Sequence, residues 1–132
     1  MFKFDATNSV PDQLRYKEII KCHQAGVYIG NDRCQANALS YALRHQNVAS
    51  IIGVAQVFNN DTCVAHFIVK LNDGSYIDPT YGNLSGILDS YHIQIEEYTI
   101  GTFVPNRELT HLKNYLFSLL PWYKRILRNN NY

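Results

Sequence analysis

The sequence predicts an α+β fold in which helices pack on an antiparallel sheet and a further helix closes the chain. Helical periodicity is confined to the two ends, whereas the middle reads as strands separated by turn residues. Because helices and strands are segregated, the pattern favours α+β over a parallel α/β sheet. The chain has 132 residues, of which 46% are apolar, so we expect a single domain over residues 1–132 with a real core.

Two helices are predicted before the sheet. Pro11, placed near a first turn, and apolar residues at helical spacing predict the first helix over residues 11–24, with Gly26 ending it. Apolar residues at helical spacing predict the second helix over residues 33–46. This places Cys34 at the N-terminal end of the second helix.

Four strands and a last helix are predicted for the remainder of the chain. β-branched and alternating apolar residues predict strands over 48–58, 63–71, 75–78 and 91–100. A final helix is predicted from about Arg107, with Pro121 kinking or interrupting it. The apolar residues beyond Pro121 would either dock on the same chain or contact a partner.

The turn Asn72-Asp73-Gly74 decides the register of the predicted hairpin. A two-residue loop would point Asp78 away from His66. A three-residue loop would place Asp78 opposite Ile68, on the face of the sheet that carries His66. Gly74 suits the left-handed position that three-residue loops require, so we predict that register.

Cys34, His66 and Asp78 together have the chemistry of a nucleophilic triad. A helix N-terminus favours a thiolate, because free N–H groups and the macrodipole both stabilise the anion. His66 lies within an apolar strand, where a histidine is costly unless it is paired. A base beside the thiol and an acceptor that fixes its tautomer complete such a site.

Three stretches resemble the transglutaminase-like branch of the papain-like cysteine enzymes. The steps of 66 − 34 = 32 residues from Cys to His and 78 − 66 = 12 from His to Asp are similar to those of small transglutaminase-like peptidases that remove lasso-peptide leaders. Phe67 stands where many members carry a Trp. The resemblance is carried by residues 32–39, 64–67 and 76–80.

The resemblance implies a papain-like fold and a role for each residue of the triad. Cys34 would be the nucleophile, His66 the general base and then the general acid, and Asp78 the residue that orients His66. We therefore expect a cysteine hydrolase that acts on a peptide or protein through a thioester, a peptidase in the first instance. A glutamine deamidase or transglutaminase, and an inactive binding module on the same fold, remain as alternatives.

The sequence leaves several candidates for the group that donates a hydrogen bond to the oxyanion. Gln24, Asn31 and Gln35 are the candidate side-chain donors, beside the backbone N–H of Cys34. Thioester chemistry of this kind requires no cofactor.

A metal site is the competing interpretation of two of the cysteines. Cys63-x-x-His66 has metal-like spacing, and Cys22-His23 would be its second pair. Adjacent Cys22 and His23 diverge in direction, so we predict no metal.

Charge and hydropathy exclude several classes of partner. With 12 basic and 11 acidic side chains, the net charge of +1 gives no electrostatic case for a nucleic-acid partner. No segment approaches the roughly 18 uninterrupted apolar residues of a membrane span. Three cysteines cannot all pair, and no signal peptide is visible. We expect a cytoplasmic protein, or one delivered into another cell by a dedicated secretion machine.

Overall fold

The structure is a computed structural model that describes residues 12–14, 17, 19–23, 33–58, 63–82 and 90–120. Within these residues the chain forms two α-helices, six strands and short 3-10 turns, which confirms the α+β prediction. The helices are α1 (Cys34–Arg44) and α2 (Pro105–Ser118). The strands are β1 (Ile19–Ile20), β2 (Cys22–His23), β3 (Val48–Phe58), β4 (Cys63–Leu71), β5 (Tyr76–Ile77) and β6 (Ser90–Tyr98).

The six strands form one sheet in the order β1-β6-β3-β4-β5-β2. Neighbouring strands are antiparallel except for the short pair of β5 and β2, which is parallel. The longest strand, β3, lies in the middle and pairs with β4 on one side and β6 on the other. The predicted bounds of β3 and β4 are confirmed, as expected for long runs rich in β-branched residues.

The hairpin between β4 and β5 has the predicted three-residue loop. The N–H of Leu71 donates to the carbonyl of Ser75 at 2.8 Å, and Val69 lies opposite Ile77. Gly74 has a φ of +89°, the left-handed conformation that favours glycine. When this register is extended by one residue beyond the end of β5, Asp78 lies opposite Ile68.

The helix predicted over residues 11–24 is wrong within the described part of that stretch. Residues Asp12–Leu14 form a single 3-10 turn, and β1 and β2 follow it. Ile19 pairs with Ile93 and Ile20 with His92, so a long-range strand partner overrides the local helical spacing. Gly26, the predicted end of that helix, lies outside the described residues.

Two apolar clusters lie on opposite faces of the sheet because the side chains of β4 alternate. Ala65, Phe67 and Val69 belong to the larger cluster, which also contains the buried sides of α1 and α2. Ile68 belongs to the smaller cluster, with Ile20 of β1 and residues of β3. The larger cluster is the main core and fixes both helices against one face.

The last helix docks on the sheet in the same chain. Leu109, Leu112 and Leu116 of α2 are buried in the main core. Pro121 and the apolar residues beyond it lie outside the described residues. No helix in the described parts of the chain is both long and apolar enough to cross a membrane.

Glu108 caps the start of α2. Its Oε2 accepts the N–H of Val104 at 2.7 Å, and Arg107 donates to the same carboxylate. The carboxylate satisfies an otherwise unpaired N–H and lies where the helix dipole favours negative charge. We expect Glu108→Ala to lower the free energy of unfolding by about 1–2 kcal/mol in urea denaturation. Asn114→Ala, an exposed position of the same helix, should change it by less than about 0.5 kcal/mol.

Gly53 leaves room for a group of aromatic rings. A Cβ at this position would lie 3.0 Å from the ring of Tyr98 and 3.3 Å from that of Phe67. Both rings pack against Phe103, which restricts their movement. We therefore expect Gly53→Ala to lower the free energy of unfolding by about 1–3 kcal/mol. Gly101→Ala is the matched control, since a Cβ there meets nothing within 4 Å, and an equal loss in both variants would contradict the packing argument.

Candidate active site

Cys34 is the first residue of α1, as the sequence predicts. Its side chain is buried, with 3% of its surface exposed. The thiol therefore lies among the unpaired N–H groups of the first helical turn, at the positive end of the helix dipole. No acidic side chain in that turn offsets this potential.

His66 and Asp78 form a buried hydrogen-bonded pair. Nε2 of His66 lies 2.7 Å from Oδ2 of Asp78, and the two side chains are 3% and 0% exposed. The pairing follows from the register of the β4–β5 hairpin, which puts both residues on one face. Ionised pairs at this distance are the stronger class of hydrogen bond.

The second carboxylate oxygen of Asp78 is held by the turn that follows β5. Its Oδ1 accepts the backbone N–H groups of Thr80 at 3.0 Å and Tyr81 at 3.2 Å. The hydroxyl of Thr80 in turn accepts a hydrogen bond from the Asn37 amide of α1 at 3.1 Å. The carboxylate is thus fixed in direction, and the turn is tied to the helix that carries Cys34.

His66 also contacts Cys34 through a side-chain hydrogen bond. Since Asp78 occupies Nε2 of His66, Nδ1 is the ring nitrogen left for the thiol. The structure therefore brings Cys34, His66 and Asp78 together in the order thiol, imidazole, carboxylate.

The pKa values of the pair follow from this geometry. Burial alone would lower the pKa of His66, but the charge of Asp78 and the hydrogen bond to it raise that pKa to about 10. Burial would raise the pKa of Asp78, but the charge of His66 and the hydrogen bond to it hold it below its usual range. At neutral pH the pair is an imidazolium beside a carboxylate.

A second histidine, His92, shares this site and was not predicted from the sequence. Its Nε2 lies 3.7 Å from Oδ2 of Asp78, and its ring stacks on that of His66 with centroids 5.6 Å apart. It is 4% exposed. Burial and the charge of His66 lower the pKa of His92 to about 4, so its ring is neutral at neutral pH.

Cys22 lies behind His92, on the far side from Asp78. Its Sγ is 3.4 Å from Nδ1 of His92. Burial and the charge of Asp78 raise the pKa of Cys22 to about 12, which keeps it a thiol at neutral pH. Cys22 therefore cannot substitute for Cys34 as a thiolate nucleophile.

Gln35 is the one side-chain oxyanion candidate that falls within the described residues. Its Oε1 lies 3.8 Å from the Cys34 sulfur, and its Nε2 donates to Oδ1 of Asn106 on α2 at 3.1 Å. The amide thus sits beside the thiol and is held by the second helix. Gln24 and Asn31 lie outside the described residues.

The metal pairs considered from the sequence do not converge in the described residues. Cys63 is fully buried in the main core, on the face of β4 opposite to His66. Three residues apart on a strand, the two side chains necessarily point to opposite faces. Cys22 contacts His92, and the side chain of His23 is not among those described.

No family model, curated protein or solved structure matches the chain. What the site can do is therefore argued from its own chemistry. A thiol at a helix N-terminus, an imidazole beside it and a buried carboxylate are groups that can carry out covalent acyl transfer.

Proposed function

We propose that the chain is a cysteine-nucleophile amide hydrolase, similar to transglutaminase-like peptidases, that acts on a peptide or protein. The observation that carries the proposal is the buried 2.7 Å contact between His66 and Asp78, with Cys34 hydrogen-bonded to the same imidazole. An imidazole fixed in this way has one nitrogen directed by the carboxylate and the other available to the thiol.

The reaction would begin with the thiolate of Cys34 beside the imidazolium of His66. The sulfur attacks the amide carbonyl, and the negative charge passes to the carbonyl oxygen. The backbone N–H of Cys34, at the start of α1, is the described donor for that oxygen. Gln35 now turns its amide oxygen toward the sulfur, so its N–H₂ group would donate only after the side chain turns away from Asn106. Removing such a donor typically costs a factor of about 100–1,000 in rate.

His66 would then serve as acid and afterwards as base. Its imidazolium proton passes to the leaving nitrogen, and the C–N bond breaks to give a thioester on Cys34. The neutral imidazole next removes a proton from water, and the oxygen attacks the thioester carbonyl. The C–S bond then breaks, the acyl group leaves as a carboxylic acid, and the thiolate of Cys34 and the imidazolium of His66 are restored. Asp78 keeps its charge throughout and stabilises the imidazolium of each half-reaction.

A peptidase and a glutamine deamidase differ in the amide that they hydrolyse: a backbone amide in the first and a glutamine side chain in the second. The full chain, incubated with a proteome-derived peptide library, should yield cut peptides read by mass spectrometry. A glutamine deamidase would instead leave the chain intact and add about one dalton per site, because an amide becomes an acid. We expect cut peptides, which would be absent with Cys34→Ala.

The control for this experiment is Cys63→Ala. It removes a thiol that is buried in the main core, on the face of β4 opposite to His66. It should cut the library like the wild type once both are normalised to folded protein. Equal cutting by Cys34→Ala and wild type would contradict the proposal. Neither cutting nor deamidation by folded wild type would favour a binding module on this fold.

A further inference from the structure

Three potential metal ligands converge on the buried carboxylate. One ring nitrogen of His66, one of His92 and one carboxylate oxygen of Asp78 all lie within 4.8 Å of one another. All three side chains are buried. Among the described residues, Nε2 of His92 has no hydrogen-bond partner although it is fully buried. Such an orphaned nitrogen is costly unless something occupies the space before it.

We propose that His66, Asp78 and His92 bind a Zn²⁺ ion in place of the proton that His66 shares with Asp78. The ion takes Nε2 of both histidines and Oδ2 of the aspartate, and the displaced proton leaves to solvent. Imidazole nitrogens suit Zn²⁺, whereas Mg²⁺ and Ca²⁺ prefer a shell of oxygen ligands. Binding stands on this geometry alone; its consequence for Cys34 rests on the proposed function.

The distances require only small movements. Zinc binds nitrogen and carboxylate oxygen at about 2.0–2.2 Å, which puts tetrahedral ligand atoms roughly 3.3 Å apart. Nε2 of His92 is now 3.7 Å from Oδ2 of Asp78, and Nε2 of His66 is 2.7 Å from it. One contact must shorten and the other lengthen, each by roughly half an ångström.

Each ligand already has the outer partner that metal sites typically carry. Nδ1 of His92 faces the sulfur of Cys22 at 3.4 Å, and Oδ1 of Asp78 accepts two backbone N–H groups. His66 faces Cys34. Such outer partners fix the tautomer and direction of the ligands, and losing one costs about 10–100-fold in affinity.

A cavity lies against one of the three ligands, His92. Its volume is about 270 Å³, and His92 and Cys22 form part of its wall. The rest of the lining comes from β1, β2 and the start of β6, with Ile19, Ile20, Lys21, Ser90 and Tyr91. An ion in this cavity would lie beside Cys22 and His92, and a movement of the His92 ring would open the way to Asp78.

The consequence is a metal-inhibited thiol. An ion on Nε2 of His66 holds that ring in one tautomer and prevents it from moving protons for Cys34. Zinc would therefore act as a reversible inhibitor, and chelation would restore the site.

Calorimetric titration of Zn²⁺ into the reduced full chain tests the proposal. We expect it to give one ion per chain. In a separate measurement, the visible spectrum of the Co²⁺-substituted protein should lack an intense sulfur-to-metal band. His92→Asn should weaken zinc binding by more than about 100-fold, since even an outer partner is worth about 10–100-fold. His111→Asn, an exposed histidine of α2, should bind as wild type. Thermal melts without metal check that each variant folds.

Cys34→Ser separates this inference from the proposed function. The serine hydroxyl can keep the hydrogen bond to His66, so zinc binding should persist, although the variant cannot form a thioester. Zn²⁺ should also slow iodoacetamide labelling of Cys34 in wild type and not in His92→Asn. Absence of binding, equal affinity in His92→Asn, or an intense sulfur-to-cobalt band would overturn the site. Binding with unchanged labelling of Cys34 would overturn the inhibition.

Discussion

Asp78→Asn should lower the free energy of unfolding by about 3–5 kcal/mol, because it breaks a buried ion pair by removing one charge. Asp78 is 0% exposed and His66 is 3% exposed, so both members of the pair are buried. Asparagine keeps the shape of the side chain and its carbonyl can still accept the N–H groups of Thr80 and Tyr81. The loss therefore reports the charge rather than a cavity or a broken turn.

The same substitution should abolish rapid chemistry at Cys34. The amide N–H₂ of an asparagine would face Nε2 of His66 and donate to it, which forces the ring proton onto Nδ1. A protonated Nδ1 cannot take a proton from the Cys34 thiol. The corresponding loss in serine-histidine-aspartate enzymes is about 10⁴-fold in kcat, and we expect a loss of that order for the chemical step here.

Asp73→Asn is the matched control for both effects. Asp73 lies in the exposed hairpin loop and accepts hydrogen bonds from the N–H and the hydroxyl of Ser75. The amide oxygen can keep one of these contacts, so the free energy of unfolding should fall by less than about 1 kcal/mol. Urea denaturation gives both values, and equal losses in the two variants would contradict a buried ion pair at Asp78.

The free energy of unfolding should pass through a maximum near pH 6.5, the ordinary pKa of histidine. His66 has a folded pKa raised to about 10, so its contribution is complete below 6.5 and is lost as pH rises toward 10. His92 has a folded pKa lowered to about 4. Between pH 6.5 and about 4 the unfolded chain therefore holds a proton on this residue that the folded chain lacks. The free energy of unfolding falls as pH falls through that window.

Each limb should have a slope of up to about 1.4 kcal/mol per pH unit, the value for one proton. Asp78, whose folded pKa lies below 3.8, adds its own loss only at still lower pH. Chemical denaturation at a series of pH values measures the profile. Asp78→Asn should flatten the alkaline limb, and His92→Asn the acid limb. A profile unchanged by both variants would contradict the assigned charge states of the cluster.

Local chemistry explains what could be predicted about the hairpin and the triad. The turn Asn72-Asp73-Gly74 encodes its own register, and that register brings His66 and Asp78 together without reference to the rest of the chain. Strand β4 was likewise predictable, because it is a short, largely apolar run between turn residues, as expected for a strand that is buried on both faces. Cys34 could be placed because the helix that follows it has clear periodicity.

Long-range pairing explains what could not be predicted. Ile19 and Ile20 have the spacing of a helix face, but their partners are strand residues of β6, more than seventy positions later. His92 was missed for the same reason. It lies opposite Gln56 on one side of β3, while His66 lies opposite Val54 on the other, and no local signal relates these strands. The alternation of β6 puts Ile93 and Ile95 on one face and His92 with Gln94 on the other, so the local pattern marks His92 as a polar-face residue.

The most direct test of the central claim is the pH dependence of iodoacetamide labelling at each cysteine, read by mass spectrometry in wild type and His66→Ala. A small reagent is required because Cys34 is 3% exposed. His45→Ala, an exposed histidine of the α1 C-terminus, is the control for loss of a ring. We expect Cys34 to be labelled faster than Cys22 and Cys63 at neutral pH, and to lose this advantage in His66→Ala. Labelling of Cys34 no faster than Cys22 or Cys63, or unchanged in His66→Ala, would contradict a thiolate–imidazole pair.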